Sequence, residues 1–153
     1  MIKTVSINFR PDDYKSLEII ETITGTLLQK KINPQLPDYE ILRRGKLKKF
    51  ISADNDYLNL PDMVIAIGGD GTFLKTARIF LERQCPIMGI NRGKLGFLTE
   101  FSPEEFEHYL HDIISEKYTV SERTVMEAVH SKNGTEEALY FFNDAVITKG
   151  AFS

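Results

Sequence analysis

Short, continuous apolar runs alternate with amphipathic segments along the first 120 residues of this chain. Runs without polar interruption are typical of parallel strands that are covered on both faces of a sheet. Apolar residues that recur every three or four positions predict the helices between those strands. The predicted strands are residues 5–8, 63–67 and 86–90. This order predicts an α/β fold, a Rossmann-like parallel sheet domain over residues 1–120.

Two of the intervening helices have clear sequence signals. Residues 17–28 carry one apolar face, which predicts an amphipathic helix. A later helix is predicted to begin at Ser102, which can cap it, with Pro103 in its first position and Glu105 completing a capping box. Residues 34–60 contain prolines and a basic stretch, and they predict no regular element.

The pattern changes after Tyr118, where no further amphipathic helix follows. Two segments, residues 124–130 and 138–149, predict antiparallel strands that are joined by a turn at residues 131–134. A two-stranded hairpin alone is only marginally stable in water. We therefore expect residues 121–153 to be the beginning of an all-β, β-rich second domain, either in a truncated chain or in one whose hairpin relies on a partner.

The composition of the chain limits the kinds of binding partner and the cellular compartment that we expect for it. A net charge of −3 gives no reason to expect the basic surface of a nucleic-acid-binding protein. The local basic run at residues 43–49 is expected to be a solvated surface segment. No apolar stretch approaches the roughly 20 residues of a membrane-spanning helix. The single cysteine, Cys85, cannot form an internal disulfide, so the expected location is the cytoplasm, without membrane or nucleic-acid partners.

The most informative motif is Gly68-Gly69-Asp70-Gly71-Thr72, directly after the predicted strand 63–67. Glycines let backbone amides approach a phosphate where a side chain would collide. The Asp in the motif repels phosphate, so its presence indicates either a hydroxyl to deprotonate or a metal ion to hold. An apolar helical pattern follows. At the carboxyl end of a parallel strand, the motif indicates phosphoryl transfer or nucleotide binding.

A second glycine-containing cluster, Gly89 to Leu98, also directly follows a predicted strand. Its glycines permit a close backbone approach, and Phe97 can pack on a base or a sugar. Alternatively, Phe97 and Leu98 are core residues beneath a turn. Arg92 and Lys94 either neutralise phosphate or are only solvated. The cluster is therefore a candidate nucleotide contact.

The third candidate is the Asn143-Asp144 pair, which lies inside the predicted strand 138–149. Adjacent polar residues are depleted inside strands, and they need hydrogen-bond partners there. Such a pair either holds ribose hydroxyls or marks a strand edge or a bulge.

Together, three motifs resemble those of the NAD kinase family. They are the GGDGT of Gly68–Thr72, the N-x-G-x-L-G-F of Asn91–Phe97 and the Asn-Asp-x-Val-Ile of Asn143–Ile147. GGDGT alone is shared with diacylglycerol and sphingosine kinases, whereas the three motifs in this order are specific. The resemblance covers about residues 60–150, and the amino-terminal part agrees only in its α/β character.

The resemblance implies transfer of the γ-phosphoryl group of ATP to the 2′-hydroxyl of the adenosine ribose of NAD, giving NADP, with a divalent metal such as Mg²⁺. By that likeness Asp70 is the general base on the hydroxyl, and Phe97 packs on the adenosine. No residue is assigned as a metal ligand. The implied nucleotide-binding residues are Asp70, Gly71, Leu74, Lys75, Phe97, Asn143 and Asp144.

The family's second domain is β-rich and completes the nucleotide sites, and its members assemble as homo-oligomers. The resemblance therefore implies a homo-oligomer for the full-length protein. Two other interpretations stay open for these 153 residues. A lipid kinase of the diacylglycerol or sphingosine type shares GGDGT, and acceptor choice distinguishes it. A non-catalytic fragment that binds adenosine nucleotides would be stabilised by ligand without turnover.

Overall fold

The computed structural model describes residues 2–93 and 96–146, and the chain divides into two compact units, Met1–Thr119 and Val120–Ser153. The first unit contains a four-stranded parallel sheet with the strand order β2-β1-β3-β4. The predicted α/β fold with a Rossmann-like parallel sheet is confirmed. The strands are β1 (Thr4–Phe9), β2 (Asn33–Gln35), β3 (Met63–Ile67) and β4 (Ile87–Ile90).

The helices of the first unit follow its strands. They are α1 (Ser16–Gln29), α2 (Asp54–Asn59), α3 (Asp70–Ile79) and α4 (Pro103–Ile114). The capping box predicted for α4 is confirmed, since Ser102 Oγ accepts from the Glu105 amide at 3.2 Å and Glu105 Oε2 accepts from the Ser102 amide at 2.7 Å. No helix within the described ranges has both the length and the apolar character needed to cross a membrane.

Both faces of the sheet are covered, as the continuous apolar strands predict. On β3, Ile65 belongs to one buried cluster with Ile20 of α1 and Phe106 of α4. The neighbouring Val64 belongs to a second cluster that includes Tyr57 of α2. Because successive strand residues point to opposite faces, the two clusters lie on opposite sides of the sheet. Burial of each large apolar side chain contributes about 1.5–3 kcal/mol.

Asn8, near the carboxyl end of β1, is buried at the centre of a polar network. Its amide nitrogen donates to Thr76 Oγ1 at 2.7 Å, and its Oδ1 accepts from the hydroxyls of Tyr39 and Tyr57 at 3.2 and 3.3 Å. Thr76 donates in turn to the Thr72 carbonyl at 2.8 Å. The network therefore fixes the first turns of α3 against β1, and this contact positions the glycine loop (Gly68–Thr72).

Residues 34–60, for which the sequence predicts no element, contain β2, α2 and two short 3₁₀ turns. The turns span Glu40–Leu42 and Lys46–Phe50, and each is anchored by one buried leucine, Leu42 and Leu47. One anchor for each turn is too little to produce a periodic pattern in the sequence. The basic side chains of this segment are exposed, in agreement with a solvated surface.

The second unit contains an antiparallel hairpin of β5 (Met126–Lys132) and β6 (Thr135–Phe141). Asn133 and Gly134 have positive φ angles of 52° and 78°. Two consecutive residues in this region form the type I′ turn that matches the twist of paired strands. The predicted hairpin is therefore present, but its turn has two residues rather than the expected four.

The Asn143-Asp144 pair lies after β6, and its expected position inside a strand is wrong. Strand pairing needs a partner residue on the neighbouring strand, and the last pair of this ladder joins Met126 to Phe141. Residues 142–146 form a bend followed by irregular chain. Residues from 147 onward, including Ile147 of the third motif, lie outside the described residues.

Candidate active site

The strand order creates a crevice at the carboxyl edge of the sheet, between β1 and β3. The chain passes from β1 to β2 on one side of β1, and β3 and β4 lie on the other side. Because the chain continues in opposite directions from β1 and β3, the loops after these strands diverge and a gap forms between them. Open α/β sheets bind their ligands in such a gap. A cavity of about 700 Å³ is found there. It is lined by Arg10, Pro11, Asp12, Asp13, Gly68, Gly69, Gly71, Thr72, Lys75, Asn91, Arg92 and Gly93.

The glycine loop forms one wall of this cavity. Gly68 has a φ of 152°, in the region that favours glycine, and a Cβ there would lie 2.5 Å from Thr72 Oγ1. Gly69 is the N-cap of α3, which begins at Asp70. The first amides of a helix lack intrahelical acceptors and lie at the positive end of the helix dipole. The loop therefore presents backbone donors that suit an anionic group.

Charged side chains complete the cavity. Arg10, Lys75 and Arg92 supply three positive charges, and Asp12 and Asp13 supply two negative ones. Arg10 pairs with Asp12 at 2.8 Å, and Arg92 pairs with Asp13. The three cations and the dipole of α3 suit an anionic part of a ligand, although the two lining carboxylates and the adjacent Asp70 offset part of the positive charge.

The Asp70 carboxylate is held by the 96–99 segment. Its Oδ2 accepts from the Phe97 amide at 3.0 Å. Its Oδ1 accepts from the amides of Leu98 and Thr99 at 3.0 and 3.3 Å, and from the Thr99 hydroxyl at 3.3 Å. Desolvation raises the pKa of Asp70, but the hydrogen bonds from Leu98, Phe97 and Thr99 together outweigh it and hold the pKa below its ordinary value. Asp70 is therefore an ionised carboxylate at neutral pH.

Gly96 lies directly against this carboxylate. A Cβ at Gly96 would be 2.2 Å from Asp70 Oδ1 and 2.7 Å from Thr99 Oγ1. The buried Thr99 hydroxyl also accepts from Asn91 Nδ2 at 2.9 Å, and Asn91 Oδ1 accepts from the Gly93 amide at 2.8 Å. The first two motifs are therefore joined by hydrogen bonds into one unit at the edge of the sheet.

Acid titration tests the hydrogen-bonded state of Asp70. A folded pKa below the unfolded value of about 3.9 gives stability that is fully present above that value and is lost as the pH falls through the folded pKa. We compare the free energy of unfolding of the unsubstituted chain with that of Asp70→Asn. The difference between the two should be constant from about pH 7 to pH 5 and should shrink below about pH 4. Urea unfolding across this range measures the difference. A difference that is unchanged at about pH 3 contradicts the depressed pKa.

Five predicted site residues lie close together in the first unit. Gly71 and Lys75 line the cavity, and Leu74 is half-buried beside them on α3. Phe97 donates its amide to Asp70, while its side chain is 93% exposed. The alternative is therefore wrong for Phe97, whose ring is open to a ligand, whereas Leu98 is half-buried.

The remaining predicted residues have different placements. Arg92 lines the cavity, which favours a role at phosphate over simple solvation. Lys94 and Leu95 of the second motif lie outside the described residues. Asn143 and Asp144 belong to the second unit, after β6, so the geometry of the first unit does not include them.

Sequence reasoning missed the loop after β1, residues 10–13. The sequence analysis assigns them no role, yet they place four side chains at the cavity. Their charges directly after a predicted strand were the available signal, because ligands bind at the carboxyl ends of parallel strands. Asn8 and Thr99 were missed as well. A polar residue at the end of an apolar strand, such as Asn8, indicates a buried hydrogen-bond network.

The described residues do not form a resident metal site. No group of three or more His, Cys, Asp or Glu side chains that could hold a metal is found among them. Asp12 and Asp13 are each paired with an arginine, and the Asp70 carboxylate accepts four hydrogen bonds. Mg²⁺ in nucleotide sites is bound mainly by waters, substrate phosphates and one or two carboxylates. Among the described residues, the carboxylates at and beside the cavity are thus already engaged by arginines or by backbone amides.

Comparison with known proteins identifies relatives of this chain by sequence and by fold. The family model of the ATP-NAD kinase N-terminal domain matches residues 5–118. An NAD kinase from Heliobacterium modesticaldum is 34% identical over 149 residues, which are 96% of this chain and 52% of that protein. An NAD kinase from Bacteroides fragilis is 46% identical over 109 residues, which are 69% of this chain and 38% of that protein. The chain thus spans about half the length, or less, of these curated relatives.

The crystal structure of yeast NADH kinase complexed with NADH has the same fold. It matches with a TM-score of 0.74 and 23% sequence identity, over 92% of this chain and 46% of that chain. The family model spans well over half of this chain, and the Heliobacterium relative is more than 30% identical over most of this chain. From this agreement we conclude that the chain belongs to the NAD kinase family.

Proposed function

We propose that this chain carries the catalytic nucleotide site of an NAD kinase. The γ-phosphoryl group of MgATP is transferred to the 2′-hydroxyl of the adenosine ribose of NAD, with NADP and ADP as products. The observation that carries the proposal is the Asp70 carboxylate, which is fixed in its ionised form beside a cavity with cationic side chains. Membership of the NAD kinase family supports NAD as the acceptor.

Asp70 has room for a substrate hydroxyl on one oxygen. Its Oδ1 accepts three hydrogen bonds from the described residues, whereas its Oδ2 accepts one, from Phe97. A carboxylate oxygen has about two lone pairs, so Oδ2 can accept the ribose hydroxyl. The low pKa makes Asp70 a weak base, but a loose phosphoryl-transfer transition state requires little early proton abstraction. The hydroxyl proton passes to Oδ2 as the new P–O bond forms and ADP leaves.

The cavity beside Asp70 supports binding of the nucleotide phosphates. Lys75 and Arg92 supply positive charge, and the first amides of α3 supply donors. A Cβ added at Gly69, Gly71 or Gly93 would meet no atom within 4 Å, so ligand atoms have space to reach the backbone there. Phosphoryl transfer depends mainly on such alignment and charge neutralisation.

Phe97 is proposed to pack on the adenosine of NAD, with Leu74 nearby. Stacking of a base on an aromatic ring is worth about 1–3 kcal/mol, so we expect Phe97→Ala to raise the KM for NAD about tenfold. Because the ring is 93% exposed, the melting temperature should hardly change. Initial rates at varied NAD and at varied ATP measure the effect. An unchanged KM for NAD, or an equal rise in the KM for ATP, contradicts this role.

The second unit supplies the remaining proposed contacts. Asn143 and Asp144 are proposed to bind the dinucleotide, on the strength of the third motif. Residues 121–153 are proposed to be the first part of a β-rich domain, because β5 and β6 are largely exposed and the relatives are about twice as long. A homo-oligomer and a cytoplasmic location complete the proposal, the latter supported by the single cysteine.

The direct test is NADP formation by the 153-residue chain with NAD and MgATP, with vesicles that contain diacylglycerol as a second possible acceptor. NADP formation that depends on Asp70 supports the proposal. Phosphorylation of the lipid but not of NAD contradicts it and favours the lipid kinase alternative. Thermal stabilisation by NAD without any product also contradicts it, and indicates a non-catalytic nucleotide-binding fragment.

A further inference from the structure

One ion pair joins loops from strands that are not neighbours in the sheet. Asp13 follows β1 and Arg92 follows β4, and β3 lies between these two strands. Both residues line the cavity, and the Arg92 guanidinium donates to the Asp13 carboxylate. The pair therefore connects opposite sides of the opening at the carboxyl edge of the sheet.

The two partners differ in how firmly they are held. The Asp13 side chain is only 9% exposed, and its Oδ2 accepts from the hydroxyl of Ser16 at 2.6 Å. Ser16 is fully buried at the first residue of α1, and its amide donates to the Asp13 carbonyl at 3.2 Å. The Arg92 side chain is 38% exposed, on a loop with glycine next to it. Asp13 is thus the fixed partner, and Arg92 is the partner that it restrains.

We propose that Asp13 is a positioning residue that holds the Arg92 guanidinium at the cavity for a phosphate-bearing ligand. A free arginine must lose rotamer freedom when it binds a phosphate, whereas one already restrained loses less. The guanidinium has five N–H donors in a fixed fork, so it can bind a phosphate while it keeps its bond to Asp13. The identity of the ligand as a nucleotide rests on the proposed function.

Asp12 is the matched control for Asp13. It also lines the cavity and pairs with an arginine, but its partner Arg10 is two residues away on the same loop. Both members of that pair are more than half exposed. Asp13→Asn and Asp12→Asn each remove one negative charge near the anion, so the change in repulsion is similar in the two variants. Only Asp13→Asn removes the restraint on Arg92.

Calorimetric titration of the chain with inorganic pyrophosphate at low ionic strength tests the proposal. We expect Asp13→Asn to bind pyrophosphate about two- to tenfold more weakly than Asp12→Asn, the range for one immobilised long side chain. In the Arg92→Gln background the two asparagine variants should have equal affinity, because no guanidinium is left to position. A role for Asp13 only in holding Ser16 at the start of α1 would leave their difference unchanged in that background.

Three results overturn the proposal. They are equal affinities for Asp13→Asn and Asp12→Asn, a difference that persists with Arg92→Gln, and no measurable pyrophosphate binding by the unsubstituted chain. Should Asp13→Asn fail to fold, Asp13→Glu takes its place with Asp12→Glu as its control, because both keep the charge and displace the carboxylate by one methylene. The same comparison in the Arg92→Gln background then applies.

Turnover separates this inference from the proposed function. Pyrophosphate affinities in the expected order, in a chain that makes no NADP, support the positioning role of Asp13 and contradict the kinase proposal. NADP formation by a chain in which Asp13→Asn and Asp12→Asn bind pyrophosphate equally overturns the positioning role alone. Asp13→Asn should also raise the KM for the phosphate-bearing substrates more than it lowers kcat, because it acts through binding.

Discussion

Asp70→Asn should lower the rate of NADP formation by about two to four orders of magnitude, the range expected for loss of a general base. An amide oxygen does not take up the ribose proton at neutral pH. In addition, the carboxylate accepts hydrogen bonds at both oxygens, so the NH₂ group of Asn must face an amide donor of Phe97 or Leu98. The resulting unpaired donors should destabilise the fold by about 1–3 kcal/mol. Rates at saturating substrates and urea unfolding measure the two effects separately.

Asp62→Asn is the control for the structural part of this effect. The Asp62 Oδ2 accepts from the amides of Lys3 and Thr4 at 2.8 and 2.9 Å. Desolvation raises the pKa of Asp62, but the two amide hydrogen bonds help to bring it below its ordinary value, as at Asp70. Asp62 directly precedes β3, at the edge of the sheet opposite the cavity. Its substitution should therefore reduce stability and leave the rate unchanged. A rate loss of under about threefold for Asp70→Asn removes Asp70 from the role of base.

Gly96→Ala should be nearly as damaging to activity, although it removes no reacting group. Its Cβ would lie 2.2 Å from Asp70 Oδ1, a distance that forces the carboxylate away from its amide donors. A displaced base should lower NADP formation by about 100-fold, and the strain should destabilise the fold by about 1–3 kcal/mol. Steady-state rates and urea unfolding of the variant measure both quantities.

Two comparisons make the Gly96 prediction specific. In α1, a Cβ added at Gly25 would meet no atom within 4 Å, so Gly25→Ala should stabilise the chain by about 0.5–1 kcal/mol. Gly96→Ala should also add little further rate loss when Asp70→Asn is already present, since both act on one carboxylate. Independent, multiplicative losses in the double variant contradict the steric account.

Features that depend on neighbouring residues were predicted well from the sequence. The apolar run of β3, the glycine loop that follows it and the capping box at Ser102 are each specified within about six residues, and all three are present. The resemblance to NAD kinases likewise rested on short motifs, and the family model agrees with it. Local chemistry of this kind is visible without knowledge of the tertiary structure.

Features that depend on tertiary contacts were not predicted. The hydrogen bonds to Asp70 come from residues 27 to 29 positions later, and the Asp13–Arg92 pair spans 79 positions. No periodicity or motif connects such distant residues. The predicted end of β6 was wrong for the same reason. The strand ends at Phe141, which pairs with Met126, the first residue of β5, and not where its own apolar residues end. Strand length is set by the partner as well as by composition.

The hydrogen bonds of Asp70 give the aspartate of this chain's GGDGT motif a structural role in addition to its proposed catalytic role. At this position one carboxylate both closes the contact with the 96–99 segment and carries the proposed proton acceptor. A mutation that removes the carboxylate therefore lowers folding stability even in a chain that catalyses nothing. Selection for a stable fold alone is enough to retain Asp70 after catalysis is lost. In this chain, Asp70 therefore joins the glycine loop to the 96–99 segment whether or not the chain turns over a substrate.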